Sequence, residues 1–153
     1  MVLFKKAGAA LLALVLTTAL VSPARAAEDD RLRFDENGEF RILVVADTQD
    51  TDKPQAETIA LLEAELDAAQ PDLVVFLGDQ IHGPSLGASV ERTRKALDAI
   101  LKPVAERGLK FAVIFGNHDD EGGVSKEEQM AYYQSYPGCL AVAGPEGVTG
   151  VGN

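Results

Sequence analysis

Phe111-Ala112-Val113-Ile114-Phe115 runs directly into Gly116-Asn117-His118-Asp119. Five apolar residues in succession read as a buried strand. The next four residues are unlike core: a glycine, an amide, an imidazole and a carboxylate. Glycine allows a sharp turn where a strand ends. The polar side chains after it can then point beyond the sheet edge, toward a ligand, a cation or a leaving group. Two similar strand ends lie upstream. Ile42-Leu43-Val44-Val45-Ala46 ends at Asp47-Thr48-Gln49-Asp50, and Leu73-Val74-Val75-Phe76-Leu77 ends at Gly78-Asp79-Gln80.

Helical signals fill the segments between these strands. Pro54 opens a helix to about Gln70, with Asp52 as candidate N-cap and Ile59, Leu62 and Leu66 on one face. Val90, Leu97, Ile100, Leu101 and Val104 mark a second helix, closed by Gly108. Ser125-Lys126-Glu127-Glu128 is a capping box opening a third, to about Tyr133. Asn37-Gly38 signals a hairpin between Leu32-Arg33-Phe34 and Phe40-Arg41-Ile42. Leu140-Ala141-Val142 can begin another strand. Apolar strands alternating with helices predict an α/β fold whose sheet is covered on both faces. Ligands of such sheets gather beyond the carboxyl ends of strands. That rule selects Asp47, Asp79 and Asn117-His118.

The chain begins with an export pattern: Lys5 and Lys6, an apolar stretch over residues 7–21, and Ala24-Arg25-Ala26 as an A-x-A cleavage site. We read residues 1–26 as a signal peptide, with an uncleaved anchor as the alternative, and residues 27–153 as about one domain in length. The product is expected in the periplasm, secreted or on the cell surface. Removing Lys5, Lys6 and Arg25 takes three positive charges from a formal net charge of −10. Such a chain argues against nucleic acid as a stable partner and against anionic membrane beyond the export signal. A phosphate-ester substrate stays open, because bound cations reverse the local field. Cys139 is the one cysteine, so no internal disulfide forms; it reads as a small buried hydrophobe.

Carboxylates and an amide oxygen suit divalent cations such as Mn, Mg or Fe. Two cations about 3.5–4 Å apart can hold a phosphate and activate a water for in-line displacement. A nearby imidazole can protonate the leaving oxygen.

The three blocks together resemble the first three motifs of the calcineurin-like metallophosphoesterases: D-x-H, then G-D, then G-N-H-D/E. The resemblance covers about residues 42–121. The D-T-Q form of the first block, with its surroundings, is similar to the Dcr2-like and purple-acid-phosphatase-like branch. It implies a metallo-dependent phosphatase-like β-sandwich flanked by helices (α/β/β/α), of which this chain carries the N-terminal half. It also implies two divalent metal ions (Mn, Fe or Zn) and hydrolysis of phosphate mono- or diesters by a metal-bound hydroxide. Asp47 would bind the first metal, Asp79 would bridge both, and Asn117 would bind the second. His118 would contact phosphate and assist the leaving group. Asp119 would orient His118 or shape the loop.

Two departures from the family pattern stand out. Gln49 occupies the place of the first motif's histidine, and reads equally as metal ligand, substrate contact or polar residue at a helix entrance. The family's later G-H and G-H-x-H motifs are missing, since His82 and His118 are the only histidines. The sequence therefore reads as the N-terminal portion of a longer enzyme. The alternatives are a catalytically inactive fragment or a non-enzymatic exported module that binds phosphate ligands. His82 reads as a partly exposed loop imidazole, with substrate contact or support behind the ligands as the other option. Asp50 is expected to be a surface or capping acid and Gln80 a solvated residue, with support behind the ligands as the other option for Gln80. Arg92, Arg94 and Lys95 read as a charged helix face.

Overall fold

The computed structural model describes residues 31–145 and residue 147; the segment read above as an export signal, with its expected cleavage site, lies outside them. The order of elements is β1 (Ile42–Val45), α1 (Ala56–Ala69), β2 (Leu73–Phe76), α2 (Gly83–Leu86), α3 (Val90–Glu106), β3 (Lys110–Val113) and α4 (Lys126–Tyr133). The strands form one parallel sheet in the order β1-β2-β3. Val45 pairs with Phe76, and Phe76 with Val113. Parallel neighbours need long crossovers, and the helices α1 and α3 supply them.

Both crossovers step in the same direction, so right-handed connections keep α1 and α3 on the same face of the sheet. Val45, Val74, Phe76, Phe111 and Val113 point to that face and join one core with Leu62 and Leu66 of α1 and Leu97, Ile100, Leu101 and Val104 of α3. The rings of Phe76 and Phe111 meet edge to face at 6.0 Å. Truncating one of these leucines to alanine costs about 2–5 kcal/mol. The opposite face is different. Ile42 and Val44 are 53% and 54% exposed, and Leu77 and Ile114 are exposed too. The expectation of a sheet covered on both faces thus holds for one face only among the described residues.

The capping box of α4 is present in both halves: Glu128 N–H donates to Ser125 Oγ and Ser125 N–H to Glu128 Oε2, each at 3.2 Å. α4 is tied to α3 through Asp98, whose Oδ1 accepts the hydroxyls of Tyr132 (2.6 Å) and Tyr136. The Arg94 guanidinium lies over the Tyr132 ring, 5.0 Å from its centre.

Four local expectations need correction. Asp52 does not cap α1; it pairs with Arg92 at 2.8 Å, forty positions away in the chain. The entrance to α1 is held instead by Asp50, which accepts the N–H groups of Thr51 and Gln55: of its two expected places, capping is observed and the surface is not, since Asp50 is buried. The Asn37-Gly38 turn forms, closed by Asp35 N–H to the Glu39 carbonyl at 2.9 Å, but its flanks are exposed apart from half-buried Phe40 and form no strand ladder among the described residues. Around residues 139–142 only one parallel bridge forms, between Phe111 and Cys139. Cys139 is half-buried, and burial pushes its thiol up. Among the described residues, no helix is long and apolar enough to cross a membrane.

Candidate active site

Beyond the carboxyl ends of β1 and β2 the two chains keep pairing as loops. Asp47 N–H donates to the Gly78 carbonyl (3.1 Å), Gln49 N–H to that of Asp79 (3.0 Å), and His82 N–H to that of Asp50 (2.9 Å). Asp47, Gln49 and Asp79 all adopt left-handed backbone, with φ of 53°, 42° and 52°. Such conformations cost a residue with a side chain about 1–3 kcal/mol and persist only where the surroundings over-determine them. The inter-loop hydrogen bonds do so here.

The glycines of the second and third blocks have a steric reason. A Cβ at Gly78 would overlap the Gly116 backbone, and one at Gly116 would overlap the Asp79 carboxylate. The ends of β2 and β3 therefore meet main chain to main chain, and the Asp79 carboxylate lies directly on the turn after β3. Its Oδ1 accepts the His118 N–H at 2.7 Å. Its Oδ2 accepts no hydrogen bond among the described residues, although Asp79 is only 8% exposed.

Asp119 builds the turn. It is buried, and its carboxylate accepts N–H groups from Gly116 (2.8 Å), Asp79 (2.9 Å), Gln80 (2.9 Å) and Ile81 (3.4 Å). Burial pushes this carboxyl above the usual range, while the four amides pull it back. These four hydrogen bonds tie the turn after β3 to the loop after β2. Orientation of His118 falls to Glu121, whose Oε2 lies 2.6 Å from His118 Nδ1. That carboxylate raises the imidazole above its ordinary value.

Other residues support this edge. Gln80 is buried rather than solvated: its Nε2 donates to the Gly78 carbonyl (2.7 Å), and Thr48 Oγ1 donates to its carbonyl (2.7 Å). Gln129 of α4, also buried, donates to the carbonyls of Asp119 (2.6 Å) and Val124 (3.0 Å). Lys126 reaches the Gly116 carbonyl at 2.8 Å. The i,i+3 spacing of His118 and Glu121 is a signal the sequence does carry. Arg92 and Lys95 pair with Asp52 and Glu91, as expected of a charged face.

Asp79, His118 and Asp119 are thus joined by direct hydrogen bonds. Asp47 and Gln49 are attached to them through backbone pairing. Asn117 stands exposed on the same edge. The side chains of Asp47, Gln49 and Asn117 make no hydrogen bond among the described residues, and a hollow of about 350 Å³ opens beside Asp47 and Thr48. Hard oxygen donors with unspent lone pairs fit a divalent cation chemically. The set is not closed, however: among the described residues no three His, Cys, Asp or Glu side chains form a group that could hold a cation.

The calcineurin-like phosphoesterase model matches residues 40–148. The chain belongs to this family. It is 32% identical over 131 residues to an Arabidopsis thaliana protein named "Probable inactive purple acid phosphatase 14", covering 75% of this chain and 32% of that one. It is 29% identical over 135 residues to "Probable inactive purple acid phosphatase 29" of the same plant, covering 78% of this chain and 34% of that one. It is 29% identical over 142 residues to "Phosphatase DCR2" of Saccharomyces cerevisiae, covering 80% of this chain and 24% of that one. The chain therefore spans about a third or less of the length of these curated relatives. No solved structure matches it. The three strand ends lie inside the matched region, and the parallel sheet with its flanking helices is the phosphoesterase frame that carries them.

Proposed function

We propose that the chain is part of an exported, metal-dependent phosphoesterase that hydrolyses phosphate mono- or diesters. The supporting observation is Asp79: a nearly buried carboxylate with one oxygen spent on the His118 amide and the other unspent. The names of the relatives, phosphatases among them, favour phosphate esters as substrates. Asp47 and Gln49 would hold one cation and Asn117 a second, with Asp79 between them. Bound cations would supply charge neutralisation and an activated water. His118, kept protonated more readily by Glu121, would give its proton to the leaving oxygen. The sequence pattern of residues 1–26 supports export.

The test is Asp79→Asn in the full-length protein, assayed on a chromogenic phosphate ester with added Mn. Turnover should fall by about 10²–10³ or more, the scale of losing a principal electrostatic group. Unchanged turnover overturns the reading. A second reading, a phosphate-binding protein without turnover, is favoured by the word "inactive" in the names of two of these relatives and by Gln49 in place of histidine. Phosphate binding by a wild-type protein that turns over no ester would select it.

A further inference from the structure

Two imidazoles stand side by side at this edge, and the proposed hydrolysis uses one of them. The rings of His82 and His118 are 6.5 Å apart between centres and inclined by 34°. Main chain, rather than rotamer choice, sets this approach. Gly83 comes directly after His82 and is buried; a Cβ there would come within 2.5 Å of the His118 carbonyl oxygen and 2.7 Å of the Gly122 nitrogen. A Cβ at Gly122 would in turn overlap the Gly83 carbonyl. Glycine at both positions lets the two loops touch backbone to backbone and carries the two histidines together.

Each ring is then held in the same manner, by the residue three places on. His82 Nδ1 is 2.6 Å from Ser85 Oγ, and His118 Nδ1 is 2.6 Å from Glu121 Oε2. In both rings Nδ1 is occupied, while Nε2 makes no hydrogen bond among the described residues. Both side chains remain partly open to solvent. The partners differ in a useful way. A carboxylate favours a charged ring that can surrender a proton. With Ser85 Oγ against Nδ1, the Nε2 atom of His82 is available as a donor.

We infer that His82 is a substrate-binding residue whose Nε2–H donates to a non-bridging oxygen of the phosphate group, beside His118. The assignment rests on the phosphoesterase reading of the site. It divides the work of the pair: His82 holds the phosphate, and His118 serves the leaving group. The same oxygen is present in the ester and in free inorganic phosphate, so both should feel the loss.

The experiment uses the full-length protein with Mn. Inorganic phosphate is titrated calorimetrically, and KM and kcat are measured on a chromogenic monoester, for wild type, His82→Ala, His82→Gln and Ser85→Ala. His82→Ala should raise the phosphate Kd and KM about tenfold, the worth of one hydrogen bond to a charged group. kcat and bound Mn should stay close to wild type. His82→Gln, which restores an N–H donor, should recover part of the loss, and Ser85→Ala should show a smaller rise. Unchanged phosphate Kd in His82→Ala overturns the inference, as does loss of bound Mn. A wild type that binds phosphate through His82 yet turns over no ester would support the inference and overturn the reaction. A wild type that turns over ester with no dependence on His82 would do the reverse.

Discussion

The amino and carboxyl edges of the sheet are made by the same three strands, yet their connections differ in kind. At the amino edge, Pro71-Asp72 leads into β2 and Gly108-Leu109 into β3. The polar groups there pair on the surface: Arg107 with Asp67 at 2.8 Å, and Arg41 N–H with Asp72 Oδ2 at 2.7 Å. This edge holds a hollow of about 410 Å³, lined by Leu66, Asp67, Gln70, Pro71, Arg107 and Leu109. It is about as roomy as the one beside Asp47. The carboxyl edge has three left-handed residues with side chains, four glycines with no room for a Cβ, and a buried carboxylate binding four amides. Hollow size therefore fails to locate the chemistry here, because any helix–strand junction can leave a groove. The amino edge has one left-handed residue with a side chain, Gln70, and one crowded glycine, Gly138; the concentration of such strain together with unspent oxygen donors distinguishes the carboxyl edge.

If that contrast is right, small changes at the carboxyl edge should cost far more than larger ones at the amino edge. The greatest effect is expected from Gly116→Ala, since one added carbon must displace the Asp79 carboxylate. Urea unfolding should show a loss of about 3 kcal/mol or more, the range of severe steric lesions. A midpoint within error of wild type would remove the steric reason given for this glycine.

Next comes Asp119→Ala, which strands four amide N–H groups away from water. A cost of about 2–4 kcal/mol is expected from leaving buried donors unsatisfied. Turnover should fall as well, because the Asp79 and His118 loops lose their common anchor. Loss of turnover with full stability would instead give Asp119 a direct part in the chemistry.

The smallest effect is expected from Arg107→Ala at the amino edge. Its partner Asp67 is well exposed, and exposed ion pairs are worth about 0–1 kcal/mol. Turnover should be untouched. A large loss of activity would mean that the amino-edge hollow takes part in function and would break the comparison.

Much of this carboxyl edge was legible in the sequence because its signals are local. An apolar run followed by Gly-Asp or Gly-Asn-His-Asp marks a strand end without knowledge of the fold. The capping box Ser125–Glu128 is read in the same way. What was not legible depends on distance across the fold. Asp52 looked like a cap because the sequence does not show Arg92 beside it. The capping role of Asp50 was legible, but its burial was not, and Gln80 looked solvated, because loop residues carry no periodicity and inter-loop pairing buries both. The role of Asp119 emerged only from four amides spread over Gly116 and residues 79–81. The open face of the sheet was hidden for another reason. Apolar strands say that both faces want cover, while the direction of the crossovers decides which face these helices reach.

The most direct measurement is calorimetric titration of the full-length protein with Mn, for wild type and Asp79→Asn. A binuclear site centred on the unspent oxygen of Asp79 predicts two Mn per chain in the wild type and loss of at least one in the variant. Equal binding in the two proteins, or none in the wild type, would contradict it.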